Sequence, residues 1–130
     1  MPTVEHAIMQ IMTEEGRLQN LNYLLRKGKS MVKHIILWTL KEELTEAEKV
    51  KVKADIKAGL EGLAGRIPGL LEIKVHTKGL PSSNVDLMLD SSFVDETALK
   101  GYAVHPEHVA VADGKVRPYT AVRSCLDYEA

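Results

Sequence analysis

The sequence is poor in several residue types, and each shortage excludes something. It has a single cysteine, Cys125, so no internal disulfide can form and nothing marks a stapled extracellular scaffold. It has one tryptophan and one phenylalanine, Trp38 and Phe93. Neither charge dominates: 17 Lys and Arg face 18 Asp and Glu, a formal net charge of −1. That balance argues against a domain held to nucleic acid by phosphate neutralisation, and against a polybasic membrane contact. Apolar runs are short; Ile35 to Trp38 is far below the roughly 20 residues of a membrane helix. The first residues, Met1-Pro2-Thr3-Val4-Glu5-His6, lack the basic and apolar regions of a signal peptide, so the expected setting is the reducing cytoplasm.

What is present fits one α+β domain. The 130 residues suffice for a single core, and 45% of them are hydrophobic. Residues 1–30 stand apart: Val4, Ile8, Ile11, Met12, Leu18, Leu21 and Leu25 fall near helical spacing, and Arg26-Lys27-Gly28-Lys29-Ser30 closes the stretch as a basic linker before Met31. This extension is either a helix that docks on the domain or on a partner, or a translated leader ahead of a start at Met31. It carries a net +1, leaving −2 for residues 31–130.

From Met31 the pattern is regular. Val32 to Leu40 is apolar on both alternate faces, a strand covered on both sides. Thr45-Glu46-Ala47-Glu48 is a capping box, and Val52, Ile56, Leu60, Leu63 and Ile67 form one helical stripe that ends at Pro68-Gly69. Gly59, Gly62 and Gly65 weaken this helix, which implies close packing on a sheet. Leu71 to Thr77 and Val85 to Phe93 alternate as strands. Asp95 caps a second helix that runs to about Val104, where Pro106 stops or restarts it. Tyr119 to Tyr128 is a fourth strand.

The order β-α-β-β-α-β predicts a ferredoxin-like unit, a four-stranded antiparallel sheet with two helices on one face. The uncovered apolar face then calls for a second copy of the same sheet, making a homodimer, an expectation that Lys74, His76, Asp86 and Asp90 qualify by their polarity.

Met31-Val32-Lys33-His34-Ile35-Ile36-Leu37, Arg66-Ile67-Pro68-Gly69, the strand Val85 to Phe93, Tyr102-Ala103-Val104-His105-Pro106-Glu107-His108-Val109 and Leu126-Asp127-Tyr128-Glu129 together resemble the stress-responsive A/B barrel (Dabb) family over residues 31–129. The resemblance implies two such sheets paired into a dimeric α/β barrel. Most members have no assigned reaction. A plant branch contains a polyketide cyclase that uses a tyrosine and the second histidine of His-Pro-x-His, which match Tyr102 and His108, with a pocket histidine at His34.

The candidate residues carry two readings each. His108 has the titration range of a general base, and Tyr102 can donate to a carbonyl as an enolate forms. Alternatively Tyr102 packs on the sheet and His108 bonds backbone. His105, just before Pro106, is either a cap or a ligand contact. His34, between Val32 and Ile36 and two steps from Trp38, is either a satisfied core histidine or part of a pocket with Trp38. Asp90 can project into the same cavity, while Asp86 reads as solvated or salt-bridged. His105-x-x-His108 has Pro106 between its histidines and no third ligand at familiar spacing, so no metal and no other cofactor are expected. Cys125 reads as a buried small hydrophobe. The sequence thus predicts a homodimer that binds a small, partly apolar ligand between sheet and second helix. The alternatives are a cyclase- or lyase-type enzyme with His108 as base, or an interaction module built on Val4 to Leu25.

Overall fold

Strand β1, Val32–Leu40, buries every second residue: Val32, His34, Ile36, Trp38 and Leu40. The intervening Lys33, Ile35, Leu37 and Thr39 are half-buried on the opposite face. The computed structural model describes Leu18 and residues 31–130, with Met31–Ala130 forming one unit. Leu18 is helical and exposed; the other readings made on residues 1–30 lie outside the described residues.

After β1 come helix α1 (Glu46–Glu61), strands β2 (Leu70–His76) and β3 (Leu87–Phe93), helices α2 (Glu96–Val104) and α3 (Pro106–Val111), and strand β4 (Thr120–Glu129). All four strands join one antiparallel sheet in the order β2-β3-β1-β4. The ferredoxin-like plan therefore holds, with three helices where two were expected. Pro106 has no N–H to continue the α2 ladder, so the chain breaks at His105 and restarts with proline in the first turn of α3. A π-helical turn, Ala112–Val116, and a short 3-10 turn, Arg117–Tyr119, lead into β4.

The capping box of α1 is complete: the Glu48 N–H donates to Thr45 Oγ1 at 3.1 Å, and the Thr45 N–H donates to Glu48 Oε1 at 2.9 Å. Val52, Ile56 and Leu60 are buried as the stripe requires. The helix stops sooner than the stripe, however. Gly62 is its C-cap, and Leu63 and Ile67 stay buried from irregular turns beyond it. Gly59 alone of the three glycines is inside the helix. Its close neighbours are the Val111 and Lys115 side chains, from α3 and the π-helical turn, and not the sheet. Burial alone does not distinguish a helical turn from a turn that follows one, which is why the stripe overran.

Cross-strand partners in an antiparallel pair point to the same face. Opposite His34 stand Ser91 on β3 and Asp127 on β4; opposite Ile36 stand Leu89 and Cys125; opposite Trp38 stand Leu87 and Arg123. This is the helix-covered face. The other carries Ile35, Leu37, Met88, Val122 and Leu126, the polar Ser124, Lys74 and His76, and a knot in which Lys33 Nζ donates to Asp90 Oδ1 at 2.6 Å and Ser92 Oγ at 2.8 Å. Among the described residues no helix is long and apolar enough to cross a membrane.

Candidate functional site

A cavity of about 690 Å³ lies between the helix-covered face of β1 and β4 and the helices α2 and α3. Val32, Ile36, Trp38, Leu99 and Val116 give it an apolar wall. Its polar lining includes His34 from β1, Tyr102 and His108 from α2 and α3, and Arg123, Cys125 and Asp127 from β4.

Tyr102 follows Leu99 by three residues on the buried stripe of α2, which Asp95 starts by accepting the Ala98 N–H at 2.8 Å. Only 1% exposed, the Tyr102 ring meets Phe93 edge-on at 5.1 Å and His34 at 5.9 Å. On its other side lies His108, ring centroids 4.0 Å apart and planes inclined by 30°. The Tyr102 hydroxyl and His108 Nδ1 are both buried without a hydrogen-bond partner among the described residues. Burial pushes the Tyr102 phenol far up from its usual pKa, with Arg123 pulling weakly the other way. Burial also lowers His108; the Ala103 carbonyl opposes this, the charges of His34 and Arg117 add to it, and the Tyr102 carbonyl opposes it less. The imidazole is thus held neutral beside a hydroxyl held protonated, a base and a hydrogen-bond donor side by side.

His34 is 7% exposed, and its Nδ1 lies 2.5 Å from Asp127 Oδ1. Trp38 also lines the cavity. His105 and Asp90 do not. The His105 ring turns back to accept the Glu107 N–H at 3.2 Å, capping α3, so the break at Pro106 uses it structurally. Asp90 pairs with Ile35 of β1, which puts it on the opposite sheet face in its ion pair with Lys33. Asp86 accepts the Leu40 N–H at 2.7 Å.

Cys125 corrects the sequence reading: it is exposed, on an edge strand whose side chains are nearly all exposed. Its Sγ donates to Asp127 Oδ1 at 3.4 Å and lies 3.9 Å from His34 Nδ1. Partial burial and Asp127 push its thiol up, against Arg123. The roles of Arg123, Cys125 and Asp127 at the cavity went unread in the sequence. Their spacing of two residues is the signal that puts them on one face of β4.

Residues 32–130 match the stress responsive A/B barrel domain, Dabb. The chain belongs to this family. Among solved structures, a dimeric ferredoxin-like protein of unknown function from Bacteroides fragilis is 34% identical, with 77% of this chain and 96% of that one covered and a TM-score of 0.72. A Dabb family protein from Mesorhizobium loti, 23% identical, covers 77% and 96% at a TM-score of 0.60. A hydroxynitrile lyase from Passiflora edulis shares the Dabb chain's fold at 19% identity, 77% and 93% coverage and a TM-score of 0.60. No curated protein matches the sequence.

Proposed function

We propose that this Dabb protein is a homodimer in which each subunit binds a small, partly apolar ligand in the cavity between sheet and helices α2 and α3. One observation carries the reading: the Tyr102 hydroxyl and His108 Nδ1 are buried at the same cavity without hydrogen-bond partners among the described residues. Burying two polar groups unpaired costs about 1–3 kcal/mol each, a cost a ligand oxygen would offset. The apolar face with Ile35, Leu37, Val122 and Leu126 supports self-pairing, as does the dimeric Bacteroides fragilis relative. Residues 1–30 are an extension outside this domain, whose family match begins at residue 32.

Trp38 is the only tryptophan in the chain and lines the cavity, so binding reads directly in its emission. A panel of aliphatic-tailed 1,3-diketones and carboxylic acids is titrated against Trp38 fluorescence. Saturable quenching that weakens in Tyr102→Phe supports the ligand site; no response from any of them counts against it.

A second reading is favoured by the Tyr102–His108 stack: a lyase- or cyclase-type enzyme in which neutral His108 removes a proton α to a carbonyl while Tyr102 donates to the oxygen. A fold shared with a hydroxynitrile lyase is compatible with it. Exchange of the diketones' α-protons with deuterated solvent, catalysed by the wild type and lost in His108→Ala, separates enzyme from binder.

A further inference from the structure

His34, Cys125 and Asp127 offer an imidazole nitrogen, a thiol sulfur and a carboxylate oxygen that all lie within 4.8 Å of one another. The chain brings them together from far apart. His34 and Asp127 are cross-strand partners separated by 93 positions, and Cys125 precedes Asp127 by two on the same strand face.

Four-coordinate zinc takes sulfur at about 2.3 Å and nitrogen or oxygen at about 2.0–2.2 Å, so adjacent ligand atoms of a tetrahedron stand about 3.4–3.6 Å apart. Here the sulfur–oxygen separation is 3.4 Å and the sulfur–nitrogen separation 3.9 Å. Only the nitrogen–oxygen pair, at 2.5 Å, is too close. Turning the half-exposed Asp127 carboxylate by roughly 1 Å opens it to the required edge. His34 needs no movement, held in a packed strand against Phe93 and Tyr102.

We propose that these three residues form a binding site for a borderline transition metal of the zinc class. A thiolate and an imidazole select zinc, cobalt or nickel over magnesium and calcium. Three protein ligands leave the fourth position free, as in metal centres that act on a ligand. All three ligands line the same cavity as Tyr102, whose hydroxyl is buried without a hydrogen-bond partner among the described residues. Cys125 ligates as thiolate, and its proton passes to solvent. The site stands on its own geometry, so its failure would leave the ligand cavity untouched.

The full chain, freed of metal with a chelator, is titrated with Co²⁺ in an absorbance cell. The expected result is one Co²⁺ per chain with a near-ultraviolet sulfur-to-cobalt charge-transfer band, displaced by Zn²⁺. Cys125→Ser, at an exposed position that the fold tolerates, abolishes the band and weakens Zn²⁺ binding by more than about 10-fold, the loss that even an outer-shell change causes. Asp127→Asn weakens Zn²⁺ by a similar factor but keeps the band. Absence of the band in the wild type overturns the site, as does Zn²⁺ affinity unchanged by Cys125→Ser.

Discussion

The imidazole of His108 lies over the ring of Tyr102, centroids 4.0 Å apart, although a helix break at Pro106 separates them. The break makes the stack possible: an uninterrupted helix would set residues six apart on different faces, whereas the restart at α3 brings His108 back over α2. The Tyr102 ring is also held from the sheet side, by edge contacts with Phe93 and His34.

Tyr102→Phe removes a buried hydroxyl that has no partner among the described residues, so it relieves a desolvation cost while leaving the ring contacts with Phe93 and His108. The variant is expected to be more stable by about 1 kcal/mol in urea unfolding, yet to bind the diketone probes less tightly. Loss of more than about 1 kcal/mol would mean that the hydroxyl is bonded in solution.

Burial holds the folded-state pKa of His108 below the imidazole's ordinary value. Between about pH 6.5 and that lower value the unfolded chain binds more protons, so the contribution is fully present above about pH 6.5 and is lost as pH falls. Urea midpoints measured from about pH 8 to about pH 5 should decline on the acid side. The decline should be shallower in His108→Gln, which cannot titrate; identical slopes would remove His108 as the cause.

Leu126 is 63% exposed on the open sheet face, opposite Ile35. In a single copy, Leu126→Lys leaves the core alone. Across a sheet-to-sheet interface it buries an unpaired charge, costing about 3 kcal/mol or more in association. Sedimentation should show a wild-type dimer and a monomeric, folded variant at micromolar concentration. A wild-type monomer would defeat the proposed assembly.

Gly69 and Gly65 both have positive φ, at +79° and +77°, but only Gly69 is crowded, against Ala98 and Val94 of the α2 region. Gly65→Ala should cost about 1 kcal/mol, the conformational penalty alone. Gly69→Ala adds a steric clash and should cost more, measured as the difference in unfolding free energy between the two variants.

The order of elements along the chain and the helix caps were legible because they depend on local signals: alternation in β2 and β3, Thr45 with Glu48, Asp95 before α2. The cavity was legible where one strand carried the pattern, at His34 and Trp38. Asp90 was misplaced because its face depends on register: pairing with Ile35 sends it away from the helices, and no feature of β3 alone says so. Cys125 was misplaced because burial at a strand edge depends on which helix covers it. Asp127 became a partner of His34 only through pairing of β1 with β4, the longest-range contact of the sheet.

Strand β4 is bonded to the sheet through β1 alone, and nearly every one of its side chains is exposed. Within one subunit it is therefore the strand whose peeling loses the least apolar burial, and its amides should exchange with solvent at a free energy below global unfolding. Peeling would carry Arg123, Cys125 and Asp127 away from His34 in a single event, dismantling one wall of the cavity while the core under α1 stays closed. Any occupant that touches β4 then acts as a clasp, and slower amide exchange along Thr120–Glu129 becomes a reporter of occupancy that requires no knowledge of the occupant's chemistry.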